Sequence, residues 1–237
     1  VTSTIGIVSV PSRSCQPGNK HVRKFGSRSL LELVVRRLTD SQRLDRVLVV
    51  AGKEFADGPL GDLVPPDVSV YLSDRPDSLG RLVCALEATG AGAVVNIEAE
   101  HPFVDPILID RLVTTAGSQS ACDYIGFCFR DGRPVIHSPL GTFAEWFRAD
   151  ALRRADREAR TAEEREQVTR FFCSRPERFH LRFIPVPAAL DSDNVRLSMD
   201  DHESWEHAQT IHDWMGPEGF DWRSIAQVLG GATAETA

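Results

Sequence analysis

The run PSRSCQPGNKHVRK at 11–24 gathers side chains suited to a chain of phosphates. Arg13, Lys20, Arg23 and Lys24 supply positive charge for phosphate oxygens, Ser12 and Ser14 supply hydroxyls, and Gly18 admits close approach of the backbone. Neither a Walker pattern nor G-x-G-x-x-G occurs there, so spacing alone leaves a solvated basic loop as the competing reading. Further along, Glu98, Glu100 and Asp105 fall close together in NIEAEHPFVDP, and Asp200 and Asp201 adjoin in RLSMDDHES. Such carboxylates are the hard oxygen ligands that Mg2+ takes, usually with waters and substrate phosphates completing its shell. Asp105 before Pro106 reads instead as a helix cap with proline at the first helical position. One of Asp200 and Asp201 is expected to cap the following helix while the other faces a cleft. Glu98 and Glu100 share strand parity, and point to one face if the strand continues that far.

These side chains need elements to hold them. Thr4 to Val10, Arg46 to Ala51, Val68 to Leu72 and Ala93 to Ile97 are short runs rich in β-branched residues. Between them, Leu30 to Leu38, Leu79 to Ala88 and Ile107 to Ala116 have helical spacing. Strands alternating with helices predict a mainly parallel sheet covered by helices on both faces. The basic run leaves the first strand at its carboxyl end, where open α/β sheets bind ligands. The second half is less regular. Strands are expected at Tyr124 to Phe129, His180 to Val186 and Val195 to Ser198, with some antiparallel pairing. Helices are expected at Ala149 to Glu158, Glu164 to Cys173, Ser204 to Trp214 and Trp222 to Leu229. No repeat or linker divides the chain, so 1–229 reads as one domain, and 230–237 (GGATAETA) as a flexible tail too small and polar to order itself.

Composition narrows the function class. A chain of 237 residues with 42% hydrophobic and 26% charged residues can bury a core of its own. A formal net charge of −7 argues against a nucleic-acid binder, which draws affinity from a basic surface, whereas a small anionic ligand needs only a local basic pocket. No apolar run approaches the ~20 residues that span a bilayer, and the first ten residues lack the features of a signal peptide. A cytoplasmic protein without membrane contact is the expectation. The five cysteines are scattered and form no C-x-x-C pair, so reduced structural thiols are expected rather than zinc or a redox dithiol.

Together these segments resemble the cytidylyltransferase family that includes spore-coat polysaccharide proteins and the synthetases of CMP-activated sugar acids, over nearly the whole chain. The family's first loop, close to R-x-G-S-x-R-L-P-G-K and leading into P-L-L-E, is similar to PSRSCQPGNKHVRKFGSRSLLE, with Ser14, Lys20 and Leu30 to Glu32 in register. Its R-I-T-A-D-x-P-L-I-D-P is similar to Asn96 to Pro106, with Glu100 at the metal-binding acid, and its V-D-T-P-E-D is similar to Met199 to Ser204, with Asp200 at the other. EEREQVTRFFCSRPERF at Glu163 to Phe179 looks like S-E-R-E-H-V-T-P-Y-I, Gly141 with Glu145 looks like G-x-x-x-E, and Arg81 matches a family arginine. The chain departs from the pattern at Pro11, Gln16 and Asn19 in the loop and at Asn96 in the central strand, and Arg13, Arg23 and Lys24 carry charge at nearby positions instead.

The resemblance implies a three-layer αβα, Rossmann-like (GT-A-like) nucleotidyltransferase fold with a mixed, mainly parallel sheet. It also implies Mg2+-dependent transfer of CMP from CTP to an acidic sugar or a small phosphorylated or phosphonate acceptor, releasing pyrophosphate. In that reading Lys20 and Arg13 stabilise phosphate charge, and Glu100 and Asp200 hold Mg2+. Ser9, Val10, Ser12, Ser14, Gly18, Arg81 and Asn96 contact the nucleotide, and Glu145, Arg165 and Gln167 contact the acceptor. A homodimer follows from the same resemblance, with Glu163 to Phe179 as the exchanged or interface element. Two other readings keep the fold: a paralogue without turnover that senses nucleotide or binds another subunit, and a glycosyltransferase that uses a nucleotide sugar.

Overall fold

The computed structural model describes residues 3–11, 23–25, 27–119, 121–138, 140–191, 197, 202–215 and 221–227. The first half runs β1 (Thr4–Ser9), β2 (Lys24–Phe25), β3 (Arg28–Ser29), α1 (Leu30–Thr39), β4 (Arg46–Gly52), α2 (Leu60–Leu63), β5 (Ser69–Ser73), α3 (Ser78–Thr89), β6 (Ala93–Glu98) and α4 (Pro106–Ser118). The second half runs β7 (Tyr124–Cys128), β8 (Glu145–Arg148), α5 (Ala149–Glu158), α6 (Ala162–Glu166), α7 (Val168–Cys173), β9 (Leu181–Pro185) and α8 (His202–Met215), with a last helical stretch at 222–227.

Among the described residues, seven strands join in one sheet of order β5-β4-β1-β6-β8-β7-β9, and β2 pairs with β3 in a separate ribbon. Within the large sheet β8 alone runs against its neighbours, being antiparallel to both β6 and β7. The remaining pairings are parallel. Strand alternation sorts the core into two layers. Ile5, Ile7, Leu48, Val50, Val94, Tyr124 and Phe147 face α3, α5 and α7, whereas Val8, Val49, Val95, Ile97, Ile125 and Trp146 face α1, α4 and α8. The mixed, mainly parallel sheet with helices on both faces is therefore the architecture that the pattern and the resemblance imply.

Local chemistry places the helix ends. The Ser29 hydroxyl accepts from the Glu32 N–H, Asp77 from Gly80, and Asp105 from Ile107 and Leu108, each satisfying an N–H that has no partner inside its own helix. Gly90 closes α3 at φ 67°, a left-handed conformation that costs glycine little.

The second half departs from expectation at two points. The helix expected over 164–173 is split into α6 and α7 at Gln167, whose ψ of 65° is not helical. The split lets Arg165 turn toward α3 and α5 while Thr169 turns toward the sheet. Strand β8 has no counterpart in the expected elements: it is four residues long and buries a glutamate, which masks it from a hydrophobic pattern. The strand expected at 195–198, apart from 197, lies outside the described residues, as do 228–229 and the tail at 230–237. No described helix is long and apolar enough to cross a membrane.

Candidate active site

The carboxyl ends of β1 and β6 lie side by side, Ser9 being in register with Glu98. The Ser9 hydroxyl donates to Asn96 Oδ1 at 2.6 Å, and the Ala99 N–H donates to the Ser9 carbonyl at 2.9 Å. The turn after β6 is thus hung on the last residue of β1. Its first half keeps Glu98 exposed, while Glu100 is buried at 3% relative exposure. The two do not keep common strand parity, because the strand ends at Glu98 and the backbone turns, with the His101 N–H donating to the Glu98 carbonyl at 3.2 Å. Beside Glu100, His101 Nδ1 is buried without a hydrogen-bond partner among the described residues.

Val10 continues β1 by one residue, its N–H donating to the Val50 carbonyl at 2.9 Å. Its own carbonyl accepts from Arg81 Nη1 at 3.4 Å. Arg81 is buried at the start of α3, where its Nε donates to the Arg75 carbonyl and its Nη2 to the Pro76 carbonyl, and it pairs with Glu54 at 3.2 Å. A guanidinium offers five donors in a fixed fork, and here it braces the backbone on either side of the strand end. Asp105, at 1% exposure, caps α4, accepts from the Trp222 N–H at 2.8 Å and lies 3.7 Å from Arg37 Nη2, so it belongs to the scaffold.

On the side of β6 away from β1, the sheet continues with β8. Gly141, at φ 57°, turns the chain into a strand whose first residue, Glu145, stands opposite Asn96. Glu145 is 5% exposed, and its Oε1 accepts from the Tyr124 hydroxyl at 2.6 Å and from the Thr169 hydroxyl at 2.5 Å. Burial outweighs those two hydrogen bonds, so its carboxyl is pushed from 4.5 up to about 7, with the charge of Glu98 adding to the shift. Burial also holds the Tyr124 hydroxyl well above its ordinary value, so it remains a donor. Arg165 is drawn inward, its Nη2 lying 3.0 Å from Asp77 and 2.5 Å from Asp156. Gln167 stays exposed at the bend between α6 and α7.

The structure therefore brings Ser9, Val10, Asn96, Glu100, Arg81 and Glu145 to one end of the sheet. Arg13, Lys20, Ser12, Ser14 and Gly18 of the basic loop, and Asp200, lie outside the described residues. Their described neighbours meet: the Arg23 guanidinium sits 5.2 Å from the ring centroid of Trp205, which joins the exit of the basic run to α8. Among the described residues there is no group of three or more His, Cys, Asp or Glu able to hold a metal ion. Tyr124 and Thr169 were not singled out from sequence. Thr169 carries a signal there, as the threonine of the segment similar to S-E-R-E-H-V-T-P-Y-I, whereas Tyr124 reads only as an apolar strand position.

Comparison with known proteins agrees with this architecture. The family profile described as MobA-like NTP transferase domain matches residues 11–171. The spore coat polysaccharide biosynthesis protein SpsF of Bacillus subtilis is 25% identical over 206 residues, covering 84% of this chain and 82% of that protein. A cytidylyltransferase from Leptospira borgpetersenii superposes with a TM-score of 0.87 at 20% identity, over 99% of this chain and 96% of its own. A CMP:2-keto-3-deoxy-manno-octonic acid synthetase solved with CTP gives 0.67 at 10% identity, over 90% and 99%.

Proposed function

Since the chain belongs to the family of MobA-like NTP transferase domains, we propose that it transfers CMP from CTP to an acidic sugar or a small phosphorylated or phosphonate acceptor, releasing pyrophosphate. The observation that carries this reading is the buried carboxylate of Glu100 in a turn hung on Ser9, beside the strand end from which the basic run departs. That geometry suits a nucleoside triphosphate whose phosphates lie over the end of β1. CTP is favoured by the cytidylyltransferase likeness and by the CTP-bound neighbour.

An acceptor oxygen attacks the α-phosphorus in line, and the bond from phosphorus to the pyrophosphate oxygen breaks. Arg13 and Lys20 neutralise the charge that grows on the phosphates, so their work is electrostatic and positional. Glu100 with Asp200 would offer the carboxylate oxygens that Mg2+ prefers, and His101 Nδ1, next to Glu100 in the chain and buried without a hydrogen-bond partner among the described residues, fits a polar occupant there. The chemistry that Mg2+ would supply when held by these residues is Lewis-acid neutralisation of phosphate charge. Ser9 and Asn96 present their hydrogen-bonded side chains to the nucleotide, and Arg81 holds the Val10 carbonyl and thereby the start of the loop. The acceptor side is formed at Gln167, which is exposed, with Arg165 and Glu145 engaged behind it. Of the segment Glu163 to Phe179, the part in α6 has no buried residue and is left available to a second copy in a homodimer, whereas Val168, Phe171, Phe172 and Phe179 lie in the core.

The test is pyrophosphate release with Mg2+, each of the four nucleoside triphosphates, and a panel of sugar acids, phosphosugars and phosphonates. CTP-dependent release that falls at least about a hundredfold in both Glu100→Ala and Asp200→Ala is expected. Release untouched by either substitution, or no nucleotide binding by calorimetry, removes this reading.

A further inference from the structure

Helix α6 has no buried residue of its own, so apolar packing does not hold it in place. It is held by side-chain ties, whereas α7 is packed into the core by Val168, Phe171 and Phe172. On the α6 side of the bend Arg165 pairs with Asp77 and Asp156, and the Ser78 hydroxyl donates to Glu166 at 2.6 Å, fixing α6 to the start of α3 and to α5. On the α7 side the Thr169 hydroxyl reaches Glu145 Oε1 at 2.5 Å. Between these ties lies the bend at Gln167, the residue open to solvent on the acceptor side.

Glu145 makes a rigid anchor for the second tie. Its backbone is paired to Asn96 at the rim of the site, and the same Oε1 takes the Tyr124 hydroxyl. Tyr124 is fully buried, with its ring 5.1 Å from Phe147, 6.1 Å from Phe172 and 5.8 Å from Phe183 between centroids, so its hydroxyl cannot follow a moving carboxyl. A buried oxygen with two short donors fixes both of them in direction as well as distance.

We propose that Glu145 and Thr169 are positioning residues: the carboxyl of Glu145, anchored to the sheet through Tyr124, holds the Thr169 hydroxyl and so sets the bend at Gln167 against the acceptor edge of the cleft. This rests on the transferase reading for what the bend meets, while the tie itself is independent of it. Neither residue needs to touch the acceptor.

Thr169→Val keeps the shape and removes the hydroxyl, and Thr169→Ser restores the hydroxyl. Amide hydrogen exchange is measured across 162–173 and across β1 and β6, alongside KM for CTP and for 2-keto-3-deoxy-manno-octonic acid as the acceptor probe. In the valine variant, exchange over 162–173 is expected to rise about tenfold, as for one lost buried hydrogen bond, with β1 and β6 unchanged. KM for the acceptor rises with it, KM for CTP stays within about twofold of the parent, and the serine variant recovers both. Unchanged exchange at 162–173 overturns the proposal, as does a valine effect spread equally over β1 and β6 or one that serine does not recover. If the probe gives no turnover in the parent protein, it is not this protein's acceptor, the panel assay decides the transferase reading, and the exchange result still decides the tie.

Discussion

Replacing Glu145 by glutamine tests the electrostatics of the site without disturbing its shape. The amide oxygen of glutamine still accepts from Tyr124 and Thr169, but it does not titrate. In the parent protein the carboxyl shifts from 4.5 to about 7 on folding, chiefly because burial penalises its charge. A folded-state value raised above the unfolded one means that the native chain holds the proton more tightly. The stability this contributes is complete below about pH 4.5 and is lost as pH rises through about 7. At 1.36 kcal/mol per unit, the shift amounts to roughly 3 kcal/mol. Urea unfolding of both proteins between pH 5 and pH 8 reads this directly. The glutamine variant is expected to gain about 2.5 kcal/mol on the parent between those limits, because at pH 5 part of the effect is already spent. Parallel stability curves over that range refute the assignment of a buried, charge-averse carboxyl at this position.

Arg81→Met is expected to cost about 3 kcal/mol in urea unfolding, because it removes the donors that the buried guanidinium gives to the Val10, Arg75 and Pro76 carbonyls. If Arg81 instead served chiefly to bind nucleotide, calorimetry shows CTP affinity lost while stability holds. Asp105→Ala is expected to lower stability by about 2 kcal/mol, since the α4 cap and the bond from the Trp222 N–H vanish together, and thermal unfolding checks it. An unchanged midpoint contradicts the scaffold role of Asp105.

How much of this was legible in the sequence depended on how local the signal is. Strands β1, β4 and β6 declare themselves through runs of Val and Ile, because strands buried on both faces need few polar positions. Asp105 before Pro106 announces its own cap. The failures come where a tertiary partner decides the outcome. Nothing around Glu145 marks a strand, since its place in the sheet comes from Asn96 on one side and its burial from Tyr124 and Thr169 on the other. The helical spacing of 164–173 is real, yet the break at Gln167 wins because Arg165 and Thr169 find partners in opposite directions. Of the candidate site, the residues near the sheet could be placed, and Arg165 proved to be committed to Asp77 and Asp156 rather than turned outward.

The reversed strand β8 also bears on how freely this protein can change. Glu145 and Trp146 project to opposite faces, one toward the Tyr124 and Thr169 hydroxyls and the other into the layer of α1 and α4. Sliding β8 by a single residue exchanges them, placing an indole among hydrogen-bond donors and a carboxyl in a hydrocarbon layer. Insertions and deletions between β7 and β8 are therefore tolerated in the exposed turn at 130–133 only while Glu145 keeps its place opposite Asn96. Natural variants are thus expected to differ freely in the length of that turn and to hold the spacing from Gly141 to Glu145 fixed.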